Sequence, residues 1–300
     1  MSECKDLKCL DNLQDLPVLK IIQGGGFRQI ENAIGILKAI EEIYPVDPEK
    51  EFYWAASAGA PVAAMAASGY TAVQIEELVR NTKASDLKKF DLGHTIKKLL
   101  RIKQSYVFNN KGMYEFIKSH MTGRATKHVQ VSLTRVKDFQ SVMMPATPES
   151  VLASTSIPEV FPIVKIGDEY YYDGGIKNNC PTPDICSINC MCCTQYRYVF
   201  FILCPFTTPN DKTYTEYESL ITRLYFLFNE VMDREIAQIR ENGWDRLLNC
   251  TVIQPPVYPE SSLLDWSPNY GLIDHAYNYA RDLLHNTPSI MYNQKRRKFK

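Results

Sequence analysis

Ser57 lies between a strand-forming aromatic run, Phe52-Tyr53-Trp54, and an apolar stretch from Pro61 to Ala67. Its neighbours Ala55, Ala56, Ala58, Gly59 and Ala60 have almost no side chain. A sharp strand-to-helix turn that projects a hydroxyl needs small residues two places before and two places after the serine. Ala55-x-Ser57-x-Gly59 meets that requirement. The Ala58 amide and the start of the following helix would favour negative charge developing beside the hydroxyl. The residue types therefore fit a nucleophilic serine, and they also fit a plain serine at the entrance of a small-residue helix.

Two further spots carry chemistry. Gly24-Gly25-Gly26 can expose backbone amides to a phosphate or to the oxyanion of ester cleavage, and a simple tight turn fits as well. Gly24-x-Gly26 opens a dinucleotide fingerprint, but Gln29 stands where its third glycine belongs and no Walker lysine-serine pair follows. Asp173 ends Tyr171-Tyr172 and precedes Gly174-Gly175, so its carboxylate can approach another backbone. A turn aspartate is the plain alternative. The histidines, His94, His120, His128, His275 and His285, all lie outside small-residue or acidic turns. The residues thus point to no Ser-His-Asp triad, without excluding one.

These side chains need elements to hold them. Val18, Leu19, Ile21 and Ile22 form a short β-type run before the glycines, and Ile30, Ala33, Ile34, Leu37 and Ile40 then recur at helical spacing. Phe52-Tyr53-Trp54 and Pro61 to Ala67 repeat that order, with the proline in a first helical turn. Thr71 caps a further helix through Val79. Two strand-turn-helix units predict a mainly parallel α/β sheet. Lys88 to Ser119 reads as mostly helical, Val129 to Val136 as a strand, Val151 to Asn179 as loop-rich and Tyr198 to Leu203 as a buried strand. Ile221, Leu224, Tyr225, Phe228, Val231 and Met232 form a helical stripe fit for the core.

The chain has 300 residues, 45% apolar and 23% charged, which excludes wholesale disorder and a small disulfide scaffold. Lys+Arg and Asp+Glu are both 34, so binding nucleic acid through bulk positive charge is not expected. No apolar run reaches the ~20 residues of a membrane span, and Met1 to Asp15 lacks the pattern of a signal peptide. With nine cysteines, an odd number, the expected location is intracellular and cytoplasmic, with peripheral membrane association.

Gly24-Gly25-Gly26-Phe27-Arg28, Ala55-Ala56-Ser57-Ala58-Gly59 and Asp173-Gly174-Gly175 occur in the order found in patatin-like phospholipases, and the chain resembles that family. Ala153-Ser154-Thr155-Ser156-Ile157-Pro158-Glu159-Val160-Phe161-Pro162 and Asp173 to Pro181 also look like family segments. The likeness covers residues 17 to 190 and is looser beyond, through Asp265-Trp266-Ser267 and the stretch Leu272 to Leu284. It implies a three-layer α/β/α hydrolase with a mainly parallel central sheet. It implies Ser57 as nucleophile, Asp173 as proton acceptor, and Gly24, Gly25, Gly26, Arg28 and Ala58 around an oxyanion hole. Ala55 and Gly59 would complete the elbow, and Gly174 and Gly175 the turn after the base. Ala55 and Gln29 replace residues that are usually glycine in the family. A Ser-Asp dyad of this kind requires no metal and no cofactor.

The implied function is lipid acyl hydrolysis of the phospholipase A or lysophospholipase type. A neutral-lipid lipase, a transacylase and a lipid-binding pseudoenzyme share the same residues. The expected organisation is a flexible N-terminus over 1–15, one patatin-like domain over 16–290 and a basic tail over 291–300. The tail, Lys295-Arg296-Arg297-Lys298-Phe299-Lys300, is suited to anionic lipid head groups, to nuclear import, or simply to solvent. Cys180, Cys186, Cys190, Cys192 and Cys193 lack the paired spacing of a zinc site and read as ordinary thiols.

Overall fold

The computed structural model describes residues 15–87, 89–90, 106–183, 196–205, 220–244, 247, 249–256, 258 and 270–287. Strand β1 (Val18–Ile22) runs into helix α1 (Gly26–Ile43), and β2 (Glu51–Ala56) runs into α2 (Gly59–Ala67). Helix α3 (Ala72–Asn81) follows, its start closed by a capping box between Thr71 and Gln74. Short elements come next: α4 (Ala84–Leu87), β3 (Lys89–Phe90), β4 (Phe108–Asn109), α5 (Lys111–His120) and α6 (Gly123–His128). Then come β5 (Val129–Arg135), β6 (Ser141–Pro145), α7 (Pro148–Ser154), β7 (Val164–Ile166) and β8 (Glu169–Asp173). Strand β9 (Tyr198–Ile202), helix α8 (Leu220–Glu241), β10 (Cys250–Ile253) and α9 (Tyr270–Asn286) complete the described elements.

Eight strands form the main sheet, with β10, β9, β1, β2 and β5 side by side and parallel. β5 then pairs antiparallel with both β6 and β8, and β8 with β7. The hairpins β5–β6 and β7–β8 make two of the antiparallel pairs, and β5–β8 is a longer-range third.

Both faces are covered, which is why β9 reads as an unbroken apolar run and β1 as one broken only by Lys20. Val18, Ile22, Tyr198, Phe200 and Ile202 turn to one face, in a core with Ala33, Leu37, Ile40, Ala276 and Ala280 of α1 and α9. Leu19, Ile21, Val199 and Phe201 turn to the other, against Ile236 and Ile239 of α8 and Trp244. Two helix layers around one sheet make the expected α/β/α architecture. Gly35 lets α1 and α9 lie close, since a Cβ there would collide with the Ile273 carbonyl and the Ala276 side chain.

Two regional expectations are corrected. Val151 to Asn179 is loop-rich only in part, chiefly over 155–163. It contains the end of α7 and the β7–β8 hairpin, whose turn begins at Gly167 with φ 60. Strands this short, with Lys165 and Glu169 in them, carry little apolar alternation to read. Within Lys88 to Ser119, β3 and β4 form an antiparallel pair, although α5 is helical as expected. Of the helical stripe, Met232 is buried and Val231 half-buried, while the side chains of Ile221, Leu224, Tyr225 and Phe228 lie outside the described residues. His94, Cys186, Cys190, Cys192, Cys193, Asp265-Trp266-Ser267 and the basic tail also lie outside them. Among the described residues, no helix is long and apolar enough to cross a membrane.

Candidate active site

β5 brings the serine and the aspartate together. On β5, Ser132 is opposite Ala56 of β2, and the next residue, Leu133, is opposite Asp173 of β8. β6 occupies the other edge of β5 across Gln130 to Thr134. β2 and β8 therefore lie end to end along one edge of β5, with their C-terminal ends facing. Ser57 leaves the end of β2 as Asp173 reaches the end of β8. Ser57 Oγ donates to Asp173 Oδ2 at 2.8 Å across 116 residues of sequence. Asp173 is fully buried and Ser57 is 7% exposed.

Ser57 has φ 48, in the left-handed region that side chains disfavour. Such a backbone persists only when its surroundings hold it, at a cost of about 1–3 kcal/mol. Here the Ser57 N–H donates to Ser154 Oγ at 2.9 Å, and Ser154 Oγ donates to the Ser132 carbonyl at 2.8 Å. The Ser57 carbonyl accepts from the Ala60 N–H at 2.9 Å, closing the first turn of α2. Gly59 is required by contact, because a Cβ would come within 2.6 Å of the Ile22 carbonyl. Ala55 is fully buried in the core, so its methyl has a place where the family usually has glycine.

Asp173 is held from three sides. Its Oδ1 accepts from the Gly175 N–H at 2.7 Å. Its own N–H donates to the Ser156 carbonyl at 3.0 Å, and its carbonyl accepts from Thr134 Oγ1 at 2.9 Å. A side chain at Gly174 would collide with the Ser132 carbonyl. Burial raises the Asp173 pKa to about 7, partly offset by the hydrogen bonds from Gly175 and Ser57. Among the described residues no histidine bonds to Ser57 or Asp173. His128 sits at the far end of the strands, with Nδ1 2.8 Å from the Glu51 carbonyl.

The glycine loop narrows one expectation. The Gly24 N–H donates to the Asn179 carbonyl at 3.0 Å, so Gly24 has no free amide for an oxyanion. Its lack of a side chain matters instead, because a Cβ would overlap Asn179 and come within 2.7 Å of Ser57 Cβ. The amides of Gly25, Gly26 and Ala58 have no acceptor among the described residues. Gly26 has φ 64, a conformation natural to glycine. Neither α1 nor α2 has a capping side chain or an acidic residue in its first turn. Two open helix starts therefore meet beside Ser57, a setting that favours a localised negative charge.

The Arg28 side chain, expected around the hole, is buried and turned to other partners. It is 1% exposed, hydrogen-bonds toward the Cys204 thiol and acts electrostatically on Asp233 of α8. Gln29 is buried with Nε2 on the Ile202 carbonyl at 3.1 Å, and its Oε1 accepts from Asn32 Nδ2 at 2.8 Å. The extra side chain is thus tied to the end of β9. Cys180 is a free, buried thiol whose pKa burial drives well up. Among the described residues no three His, Cys, Asp or Glu side chains converge to hold a metal.

Sequence reasoning missed Ser154 and Asn179 as parts of the site. Both stand in segments that resemble the family, but their partners are backbone groups of distant strands, which residue spacing does not reveal.

The layered sheet, the elbow after β2 and the glycine loop after β1 define a patatin-like fold. The sequence model described as patatin-like phospholipase matches residues 21–185, and the chain belongs to that family of lipid hydrolases. Among solved structures, VipD from Legionella pneumophila is similar in fold, with a TM-score of 0.50 and 13% identity. The match covers 91% of this chain and 67% of that one. No curated protein sequence matches the chain.

Proposed function

We propose that the protein is a lipid acyl hydrolase of the phospholipase A or lysophospholipase type, acting through a Ser57–Asp173 dyad. The observation that supports this reading is the 2.8 Å hydrogen bond from Ser57 Oγ to a buried carboxylate, made at a strained elbow. Asp173 accepts the Ser57 proton as Oγ attacks the acyl carbonyl carbon. A base with a pKa near 7 is matched to that transfer at neutral pH. The amides of Gly25, Gly26 and Ala58 donate to the tetrahedral oxyanion, each such donor being worth about 10²–10³ in rate in well-studied hydrolases. Collapse expels the alcohol, which takes the proton from Asp173. Water, deprotonated by the same carboxylate, then attacks the acyl-serine and releases the fatty acid.

The substrate in this reading is a phospholipid or related acyl lipid at a membrane surface. The basic tail at 295–300 would draw the protein to anionic head groups, and residues 16–290 would form the catalytic domain. The test is fatty-acid release from mixed phospholipid and lysophospholipid vesicles by the purified protein, with fluorophosphonate labelling mapped by mass spectrometry. Release together with a label on Ser57 is expected. An unlabelled protein that releases no fatty acid would overturn the reading. Release from triacylglycerol emulsions alone would move the substrate to neutral lipids.

A further inference from the structure

Helix α8 lies on the far face of the sheet from α1, and its contacting residue falls beyond the stretch matched by the family model. Its Glu235 side chain reaches the site. Glu235 Oε1 accepts from the Asn179 N–H at 2.6 Å. The Cys180 N–H and the Gln23 side chain bear on the same carboxylate. Its second oxygen is buried and has no hydrogen bond of good geometry among the described residues. A half-satisfied buried carboxylate is a poor way to fasten a helix to a sheet, since an apolar contact there would hold as well without the desolvation cost. Burial is the main reason its pKa rises to about 7.

What the carboxylate holds is the glycine loop. Asn179 clasps Gly24 in both directions: its carbonyl takes the Gly24 N–H at 3.0 Å, and its Nδ2 donates to the Gly24 carbonyl at 3.2 Å. Gly24 is wedged between Asn179 and Ser57 Cβ. The next two residues carry the open amides. Asn179 also stands six residues after Asp173, beyond the Gly174-Gly175 turn. Fixing it fixes both the oxyanion loop and the exit of the base strand.

We infer that Glu235 is a positioning residue for ester hydrolysis, holding Asn179 so that the Gly25 and Gly26 amides meet the developing oxyanion. The inference rests on the hydrolase reading above. Donors displaced by about 1 Å lose much of their effect on the transition state while ground-state binding is kept. Glu235 therefore acts on kcat rather than on KM.

The experiment compares wild type, Glu235→Leu, Glu235→Gln and Glu235→Asp with a short-chain p-nitrophenyl ester, with thermal melting run in parallel. The leucine variant is expected to stay folded and lose about 10–100-fold in kcat, with KM within about twofold. Glutamine keeps an acceptor oxygen at the same reach and is expected to stay within about threefold of wild-type kcat. A leucine variant with wild-type kcat would overturn the inference, and so would a glutamine variant as impaired as leucine. If the leucine variant does not fold, the aspartate variant decides: retracting the oxygen by one methylene should cost about tenfold in kcat, and no loss overturns the proposal. Wild-type protein inert to both ester and fluorophosphonate would instead defeat the hydrolase reading itself.

Discussion

The strands β1 and β2 end in two opposite arrangements of buried polar groups. In the middle of β1, Lys20 is 1% exposed and its Nζ lies 2.7 Å from Oε1 of Glu51, the first residue of β2. Tyr53 Oη donates to Glu51 Oε2 at 2.7 Å, so each charge there meets a countercharge or a hydroxyl. At their ends, Asp173 is buried with a serine hydroxyl and a backbone N–H for partners and, among the described residues, no cation acting on it. The first carboxylate has a permanent counterion. The second is left nearly balanced between its neutral and charged forms. A buried acid paired with a cation is a structural fixture, whereas one paired only with neutral donors can still take up a proton.

The largest effect should come from breaking the second arrangement. Ser57→Ala and Asp173→Asn should each lower lipid hydrolysis by about 10³-fold or more, measured as fatty-acid release, while circular dichroism stays native. Lys20→Met strikes the first arrangement and strands Glu51. It should cost about 3 kcal/mol of stability in urea titration but leave kcat per folded molecule unchanged. Restoring most of that stability by adding Glu51→Gln would sharpen the contrast.

The pH dependence separates the two ends next. In the proposed mechanism hydrolysis needs the ionised form of Asp173, so kcat/KM should fall about tenfold per pH unit below 7, near a hundredfold by pH 5, and level off above 7. A flat profile from pH 5 to 8 would remove Asp173 as the base. The smallest effect concerns stability. The folded pKa of about 7 exceeds the ordinary value of 3.8, so the folded state keeps a proton that the unfolded chain releases between those values. That contribution is complete below pH 4 and is lost as pH rises through 7. Asp173→Asn should therefore be more stable than wild type by about 2 kcal/mol at pH 8, with the margin shrinking toward pH 4, as read by melting temperature.

Local features of this site were legible because local spacing encodes them. Ala55, Ser57 and Gly59 mark an elbow within five residues, Gly24-Gly25-Gly26 mark a turn between strand and helix, and Thr71 marks a helix start. Asp173 was legible as a turn residue, but its meeting with Ser57 is made by the register of β5, whose own sequence says nothing of which strand will pair with it. Arg28 was expected around the oxyanion hole because the family resemblance puts it beside the glycine loop. Its buried side chain instead turns toward Cys204, a contact set by how α1 packs on the end of β9. Glu235 was invisible because a lone glutamate on an amphipathic helix reads as solvated. The hairpin β7–β8 was hidden by its brevity.

The meeting of β2 and β8 leaves a seam in the sheet, with two chain ends abutting on a shared edge and no ladder bond between them. A strand advances about 3.3 Å per residue and reverses its facing at each step. One residue inserted into or deleted from the β7–β8 hairpin on the strand side of its turn would therefore carry the carboxyl out of reach and aim it through the opposite face. The seam accepts a single spacing, so the loop lengths around it can drift while the two abutting ends cannot.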